Sequence, residues 1–206
     1  MRHGEVFNPD EVLYGRLPGF RLSERGVEMA AAAAAHLAGL DRPVTALYAS
    51  PLQRAQESAA PISATFGLPI VPEARVLEPT NAFEGKRMHG PDAAPKQWQN
   101  WRYLVNPMRP SWGEPYVSIA ERMLAAMRDA WQATGSGDVV IVSHQLPIWT
   151  AHRRIAGEKL WHDPRERRCN LSSITSFELQ GETFTEVGYV DPAAGLLEGA
   201  VDVGAV

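Results

Sequence analysis

The sequence has little cysteine, lacks a long apolar run and carries no strong excess of either charge. Its single cysteine, Cys169, cannot form an internal disulfide, so we expect a reducing, cytoplasmic setting. No window approaches the ~20 consecutive apolar residues of a membrane span, and no charged-then-apolar signal segment opens the chain. The formal net charge is −4. We therefore expect neither a membrane nor a nucleic acid as partner.

The length and composition are those of one folded domain. Hydrophobic residues make up 45% and charged residues 21% of the 206 residues, which is typical of globular proteins. We predict a single domain over residues 1–190. The Gly- and Ala-rich segment 191–206 is predicted to be a loose C-terminal tail.

Helix and strand signals alternate from residue 22 onwards. Ser23 is a predicted N-cap, and Ser50, Pro51 and Gln53 form the pattern of an N-cap, a first-turn proline and a capping-box glutamine. Asp138–Val142 is apolar after its first residue, as a central parallel strand should be. The predicted helices cover 23–37, 50–66, 116–133 and 147–155; the predicted strands cover 45–49, 71–78, 138–142, 173–179 and 183–190, the last two as an antiparallel pair.

Residues 79–113 interrupt this alternation. The segment is rich in proline and glycine and contains Trp98, Trp101 and Trp112. We interpret it as a small inserted cap over a site, with one helix around Ala94–Leu104. The tryptophans favour a packed core within the cap, with an aromatic wall for a bulky leaving group as the alternative.

Alternating helices and strands indicate a layered α/β fold with a mostly parallel central sheet. We expect a three-layer α/β/α sandwich with the small inserted cap. In such folds, ligands bind outside the carboxyl ends of the strands, near helix N-termini.

Two arginines and two histidines are placed to meet at that edge. Arg54 lies in the first turn after the strand 45–49, and His144 directly follows the strand 138–142. Arg2 and His3 open the chain. Guanidinium groups donate to two oxygens at once, so this set predicts a phosphate pocket.

Seven short segments are informative because of the order in which they occur along the chain. They are Arg2-His3-Gly4-Glu5, Ser50-Pro51-Leu52-Gln53-Arg54-Ala55, Leu77-Glu78, Phe83-Glu84-Gly85, Gly113-Glu114, Val142-Ser143-His144 and Asn170-Leu171-Ser172-Ser173-Ile174-Thr175. Together they resemble the signatures of the histidine phosphatase (phosphoglycerate mutase-like) superfamily, phosphatase branch, from residue 2 to about 179.

The resemblance implies a mechanism and a set of site residues. It implies that His3 attacks phosphorus and forms a phosphohistidine, and that Glu78 protonates the leaving group, with Glu84 as the alternative acid. It also implies that no metal or other cofactor is needed, that the substrate is a small phosphorylated metabolite, and that a homodimer is to be expected. The phosphate-binding residues it implies are Arg2, Arg54, His144 and Asn8.

The sequence departs from the family pattern in three places. The family has a strand directly before Arg-His-Gly, whereas only Met1 precedes it here, so we expect a native first strand to be missing, with an altered family core as the alternative. Gln145 stands where a glycine commonly follows the second histidine, which affects substrate contacts more than phosphate binding. The acid segment, residues 78–81, lacks the usual acidic-glycine run. Glu78 and Glu84 therefore remain alternatives for the role of proton donor.

The expected function is hydrolysis of a phosphomonoester. A phosphoglycerate-type mutase is the first alternative, disfavoured because only Lys86 and Arg87 add positive charge near the acid segment. A catalytically inactive phosphate-binding or regulatory module is the second. The stretch His152–Arg168 has six Lys or Arg against three Asp or Glu, which indicates a solvated face or a contact for a substrate with extra negative charge.

Overall fold

A computed structural model describes residues 1–88, 90, 93–103 and 112–203. In this part of the chain the helices are α1 (Glu24–Ala38), α2 (Gln53–Phe66), α3 (Tyr116–Thr134) and α4 (Gln145–Ile155). The strands are β1 (Val44–Ala49), β2 (Ile70–Pro72), β3 (Asp138–Val142), β4 (Ile174–Gln180) and β5 (Thr183–Val190). None of the helices in the described ranges is long and apolar enough to cross a membrane.

The central sheet is parallel, as the sequence predicted. Its strand order is β2-β1-β3, with Leu47 paired to Ile70 and to Val140. Strands β4 and β5 form the predicted antiparallel pair. The α/β class follows from short apolar strands that must be covered on both faces.

Helices cover the two faces of the sheet and form a separate core with each. Side chains of α1 and α2 pack with Leu47, Val140 and Val142, whereas α3 and α4 pack with Ile141. Neighbouring residues of β3 therefore point to opposite faces, as the two-residue period of a strand requires. This arrangement confirms the three-layer α/β/α sandwich.

Residues 1–3 lie beside β3 as a short extended segment. Arg2 forms a parallel bridge with Ser143, and the Met1 nitrogen donates to the Ile141 carbonyl at 2.9 Å. On the other side, the Arg2 nitrogen donates to the Ser173 carbonyl at 3.0 Å. These three residues thus join β3 to the segment that enters β4. A largely apolar cavity of about 540 Å³, lined by Met1 and by residues 137–141 and 174–179, lies beside them.

Two local predictions are wrong. Ser50 does not cap α2, which begins at Gln53 with Leu52 as N-cap and without a side-chain cap; the Ser50 hydroxyl bonds His144 instead. The strand predicted over 71–78 is only Ile70–Pro72, because the Glu73 carboxylate accepts from the Arg75 nitrogen and starts a 3₁₀ turn.

The cap also differs from its prediction. The helix expected around Ala94–Leu104 is two 3₁₀ helices, Ala94–Lys96 and Trp98–Tyr103, and Leu104 lies outside the described residues. Trp98 and Trp101 are exposed, at 76% and 63%. Only Trp112 packs against the small apolar cluster of the cap, so a core of three tryptophans is not formed.

The C-terminal segment is folded back on the domain. Ala193, Leu196 and Leu197 pack with Met29 of α1. The Val201 nitrogen then donates to Glu5 Oε1 at 2.7 Å. The expectation of a loose tail therefore does not describe residues 191–203, because their apolar side chains are used in a core.

Candidate active site

The predicted residues meet at the carboxyl end of the parallel strands. His144 directly follows β3 as the N-cap of α4, and Arg54 lies in the first turn of α2. The His3 nitrogen donates to the Ser143 carbonyl at 3.1 Å, which places His3 next to His144. The centroids of the two imidazole rings are 5.2 Å apart. The predicted clustering of His3, Arg54 and His144 is present.

His3 is buried as a neutral imidazole. Its Nδ1 lies 2.7 Å from the Gly4 carbonyl, which can only accept, so Nδ1 carries the proton. Burial, followed by the charges of Arg54 and Arg2, lowers the pKa of His3 well below its ordinary value of 6.5. Nε2 therefore keeps its lone pair and is the ring atom that can act as a nucleophile.

Arg54 is directed at this atom. Its Nε lies 3.3 Å from His3 Nε2, and its Nη2 donates to the Gly15 carbonyl at 2.8 Å. The guanidinium also lies over the Tyr14 ring, 4.7 Å from its centroid. The side chain is 1% exposed, so its position is fixed by these contacts before any ligand binds.

Arg2 is completely buried but only partly directed at the pocket. Its Nη1 donates to the Cys169 carbonyl and to Asp202 Oδ2, both at 2.7 Å, and its Nη2 pairs with Asp202 Oδ1. Burial alone would lower the pKa of Arg2, and Asp202 more than offsets this effect. Of the three guanidinium nitrogens of Arg2, Nε is the one without a hydrogen-bond partner among the described residues.

His144 and Glu78 face each other across the site. His144 Nε2 lies 2.8 Å from the Ser50 hydroxyl, and its Nδ1 lies 3.7 Å from Glu78 Oε2. Burial and then Arg54 lower the pKa of His144 well below its ordinary value, so this ring is also neutral. Ser50 thus serves as a positioning group that the sequence did not suggest.

Glu78 has the properties of a proton donor near neutral pH. It is 5% exposed, and burial raises the pKa of its carboxyl group to about 7, although Arg54 and Arg167 act in the opposite direction. Glu84, the alternative acid, accepts from the Arg16 nitrogen at 3.1 Å and the Asn81 nitrogen at 3.3 Å. The structure therefore brings Glu78, and not Glu84, to His144.

The side chain of Asn8 forms hydrogen bonds within its own loop. Its Nδ2 donates to the Val12 carbonyl at 2.8 Å, and its Oδ1 accepts from the Val12 nitrogen at 3.2 Å. Both ends of the amide are used to close the loop 8–12. The role of Asn8 in phosphate binding stays a prediction.

Three buried polar atoms around His3 make no hydrogen bond within the described residues. They are Arg2 Nε, His144 Nδ1 and Glu78 Oε1. Buried polar groups without partners are rare and costly in folded proteins, so a cluster of them points to a polar ligand. Arg2, His3 and Glu78 also line one cavity, together with Tyr14, Tyr116 and Gln145.

The charge of this site suits an anion. Arg2, Arg54 and Arg167 are all at most 7% exposed, and the carboxylates that act on them include Glu78, Glu84 and the partly exposed Asp202. Among the residues that the structure describes, no group of three or more His, Cys, Asp or Glu side chains could hold a metal ion.

Known proteins and a family model match most of this chain. The model of the "Histidine phosphatase superfamily (branch 1)" matches residues 1–192. Uncharacterized protein Rv0525 of Mycobacterium tuberculosis is 51% identical over 195 residues, covering 94% of this chain and 95% of that protein.

Solved structures with the same fold include two that cover nearly the whole chain. Bacillus stearothermophilus YhfR has a TM-score of 0.73 at 24% identity. The match covers 98% of this chain and 96% of the YhfR chain. Mycobacterial glucosyl-3-phosphoglycerate phosphatase Rv2419c, in complex with inorganic phosphate, has a TM-score of 0.71 at 21% identity. The match covers 94% of this chain and 96% of the Rv2419c chain.

Proposed function

The chain belongs to the histidine phosphatase superfamily, and we propose that it hydrolyses small phosphomonoesters through a phosphohistidine on His3, without a metal ion. The observation that carries the proposal is the buried, neutral His3 whose Nε2 faces the fixed guanidinium of Arg54 at 3.3 Å. A neutral imidazole next to a permanent cation is suited to attack an anionic phosphoryl group.

The phosphoryl group would be held by the buried donors around His3. Arg54 offers N–H groups beside Nε2, and Arg2 Nε and His144 Nδ1 have no partner among the described residues. Donors fixed in a buried site stabilise the charge that develops on the equatorial oxygens, and they need no reorganisation during the reaction.

In the first step a bond forms between His3 Nε2 and phosphorus while the ester P–O bond breaks. The departing oxygen takes a proton from Glu78, which is available because the pKa of that carboxyl group is raised to about 7. The products are the free alcohol, a phosphohistidine and the Glu78 carboxylate.

In the second step water attacks the phosphohistidine. Glu78 accepts a proton from the water, the N–P bond breaks, and its electron pair returns to Nε2. Inorganic phosphate leaves, with His3 neutral and Glu78 protonated as at the start. The cycle balances without a redox partner or a metal ion.

Hydrolysis of p-nitrophenyl phosphate in excess EDTA tests this proposal. We expect turnover by the wild-type chain and a loss of at least about 10³-fold in the His3→Ala variant. The His36→Ala variant is the matched control, since His36 lies in the last turn of α1, away from the site. Quenching during turnover in alkaline SDS should trap phosphate on the wild-type protein and not on His3→Ala, because the N–P bond of a phosphohistidine is stable in base and hydrolyses in acid.

Three outcomes would overturn the proposal. Unchanged activity in His3→Ala would mean that another group performs the reaction. Absence of turnover, with phosphate still raising the melting temperature, would favour a binding module, and stable retention of phosphate from a bisphosphoglycerate primer would favour a mutase.

A further inference from the structure

The proton donor Glu78 is not held in place by its own carboxyl group. Its Oε1 makes no hydrogen bond within the described residues, and its Oε2 lies 3.7 Å from His144 Nδ1, beyond hydrogen-bond distance. The residue also lies outside the helices and strands, and Pro79 after it has no N–H to donate. The place of the carboxyl group is therefore set by the main chain of Glu78.

Arg16 holds that main chain. Its Nε donates to the Glu78 carbonyl, which is the one main-chain hydrogen bond that the structure describes for Glu78. The two residues are 62 positions apart, and Arg16 belongs to the loop that follows His3. The bond thus ties the proton donor to the segment that carries the nucleophile.

Arg16 is itself held by two carboxylates. Its main-chain nitrogen donates to Glu84 Oε1 at 3.1 Å, and its Nη2 lies 3.6 Å from Glu114 Oε2. Glu114 is in turn held by Arg122, at 2.8 and 3.0 Å. Because the side chain of Arg16 is 34% exposed, these contacts rather than burial give its guanidinium a fixed direction.

The residue before Arg16 contacts the other half of the site. The Gly15 carbonyl accepts from Arg54 Nη2 at 2.8 Å. Gly15 has a φ of +40°, and a Cβ there would lie 2.3 Å from Glu84 Oε1, so the turn requires glycine. Two successive residues therefore contact the arginine that faces His3 and the proton donor, and the planar peptide group between them links the two halves of the site.

We propose that Arg16 is a positioning residue that, by holding the Glu78 carbonyl, keeps the carboxyl group where it can protonate the leaving oxygen. The inference rests on the proposed phosphatase function. Within it Glu84, the alternative acid, supports Arg16 and takes no part in proton transfer. A displacement of about 1 Å is enough to impair a reacting group, so the loss of this one hydrogen bond should be measurable.

Two esters separate an effect on the proton donor from an effect on the whole site. Ethyl phosphate releases an alkoxide that needs a proton, whereas p-nitrophenyl phosphate releases a phenolate that does not. In Arg16→Met we expect kcat/KM for ethyl phosphate to fall at least about tenfold, with more of the change in kcat than in KM. For p-nitrophenyl phosphate the fall should be less than about threefold.

Two further variants distinguish positioning from a structural defect. Arg16→Lys should recover part of the ethyl phosphate activity, since an ammonium group can still donate to a carbonyl. The exposed Arg21 of the same loop is the matched control, because its Nη1 donates to the Leu22 carbonyl, at 3.2 Å, outside the site. Arg21→Met should leave both kcat/KM values unchanged. The inhibition constant of inorganic phosphate should be the same in Arg16→Met and in the wild type, because the groups proposed to hold phosphate are untouched.

The outcomes separate this inference from the function on which it rests. An equal loss for both esters in Arg16→Met, or no loss for either, overturns the inference and leaves the His3 reaction intact. His3-dependent turnover of p-nitrophenyl phosphate alone would mean that no proton donor is in place, and it too overturns the inference. Absence of turnover of every ester by the wild-type chain overturns the phosphatase proposal and the inference together.

Discussion

The carboxylate of Asp202 binds the guanidinium of Arg2, with Nη1 and Oδ2 2.7 Å apart, although 199 residues separate them in the chain. The pair is asymmetric, because Arg2 is fully buried and the Asp202 side chain is 36% exposed. The C-terminal segment thus completes the set of groups that bind the guanidinium of an arginine in the candidate active site.

We expect Asp202→Asn to destabilise the protein and reduce its activity. The buried Arg2 would lose its counter-charge, so the free energy of unfolding should fall by about 1–2 kcal/mol, a value reduced by the partial exposure of Asp202. Urea denaturation measures the first effect and kcat/KM for p-nitrophenyl phosphate the second. The exposed Glu198 supplies the control, Glu198→Gln; equal effects of the two substitutions would contradict the prediction.

Arg54→Lys should lower kcat/KM by about 10²–10³-fold. A lysine cannot bond Gly15 and face His3 Nε2 at once, so the developing phosphoryl charge would lose a fixed donor. Arg42→Lys is the matched control, because Arg42 pairs with Asp138 on the surface. A loss of less than tenfold in Arg54→Lys would show that Arg54 does not contact the reacting group.

The pH dependence should depend on the leaving group. Glu78 must be protonated to release an alkoxide, and its pKa is raised to about 7, so kcat/KM for an alkyl phosphate should fall about tenfold per pH unit above 7. The fall should be shallower for p-nitrophenyl phosphate, whose phenolate leaves without a proton. Glu78→Gln should abolish the alkyl phosphate reaction, whereas Glu84→Gln should retain it; the opposite result would identify Glu84 as the acid.

The same carboxyl group should affect stability. Because its pKa rises from 4.5 in the unfolded chain to about 7, the folded state binds more protons in this range, and its stability falls as pH rises from 4.5 to 7. Glu78→Gln removes this titration. The difference in the free energy of unfolding, variant minus wild type, should therefore increase by about 3 kcal/mol between pH 4.5 and pH 8. Urea unfolding at the two pH values measures the difference, and a constant difference would exclude a raised pKa.

Gly4→Ala should destabilise the protein by about 1–3 kcal/mol, as overpacking does. A Cβ at Gly4 would lie 2.4 Å from the Gly26 carbonyl oxygen, and the backbone next to His3 would have to move. Gly39→Ala is the control, since its nearest contacts are ordinary ones at 3.5 Å and it should change stability by less than about 0.5 kcal/mol. Equal stability of the two variants would contradict the close approach of Gly4 to the Gly26 carbonyl oxygen.

The sequence was most informative where function depends on position relative to a strand. Arg54 and His144 could be placed together because each follows a parallel strand, and the carboxyl ends of such strands share one edge. The α/β class followed from the alternation of elements for the same reason. Helix starts were less certain: Ser50 has the pattern of an N-cap, yet its hydroxyl is used by His144, and no local pattern reveals that choice.

The sequence by itself determined the layered fold, the family resemblance and the set His3, Arg54, His144 and Glu78 or Glu84, because these depend on local periodicity and on motifs. Only the tertiary structure brought Glu78 to His144, joined Glu84 to the Arg16 nitrogen and turned Asn8 to its own loop. It alone placed Asp202 on Arg2 and Arg167 behind Gln145. Such contacts join residues far apart in the chain, and they are set by burial and charge pairing, which leave no periodic trace in sequence.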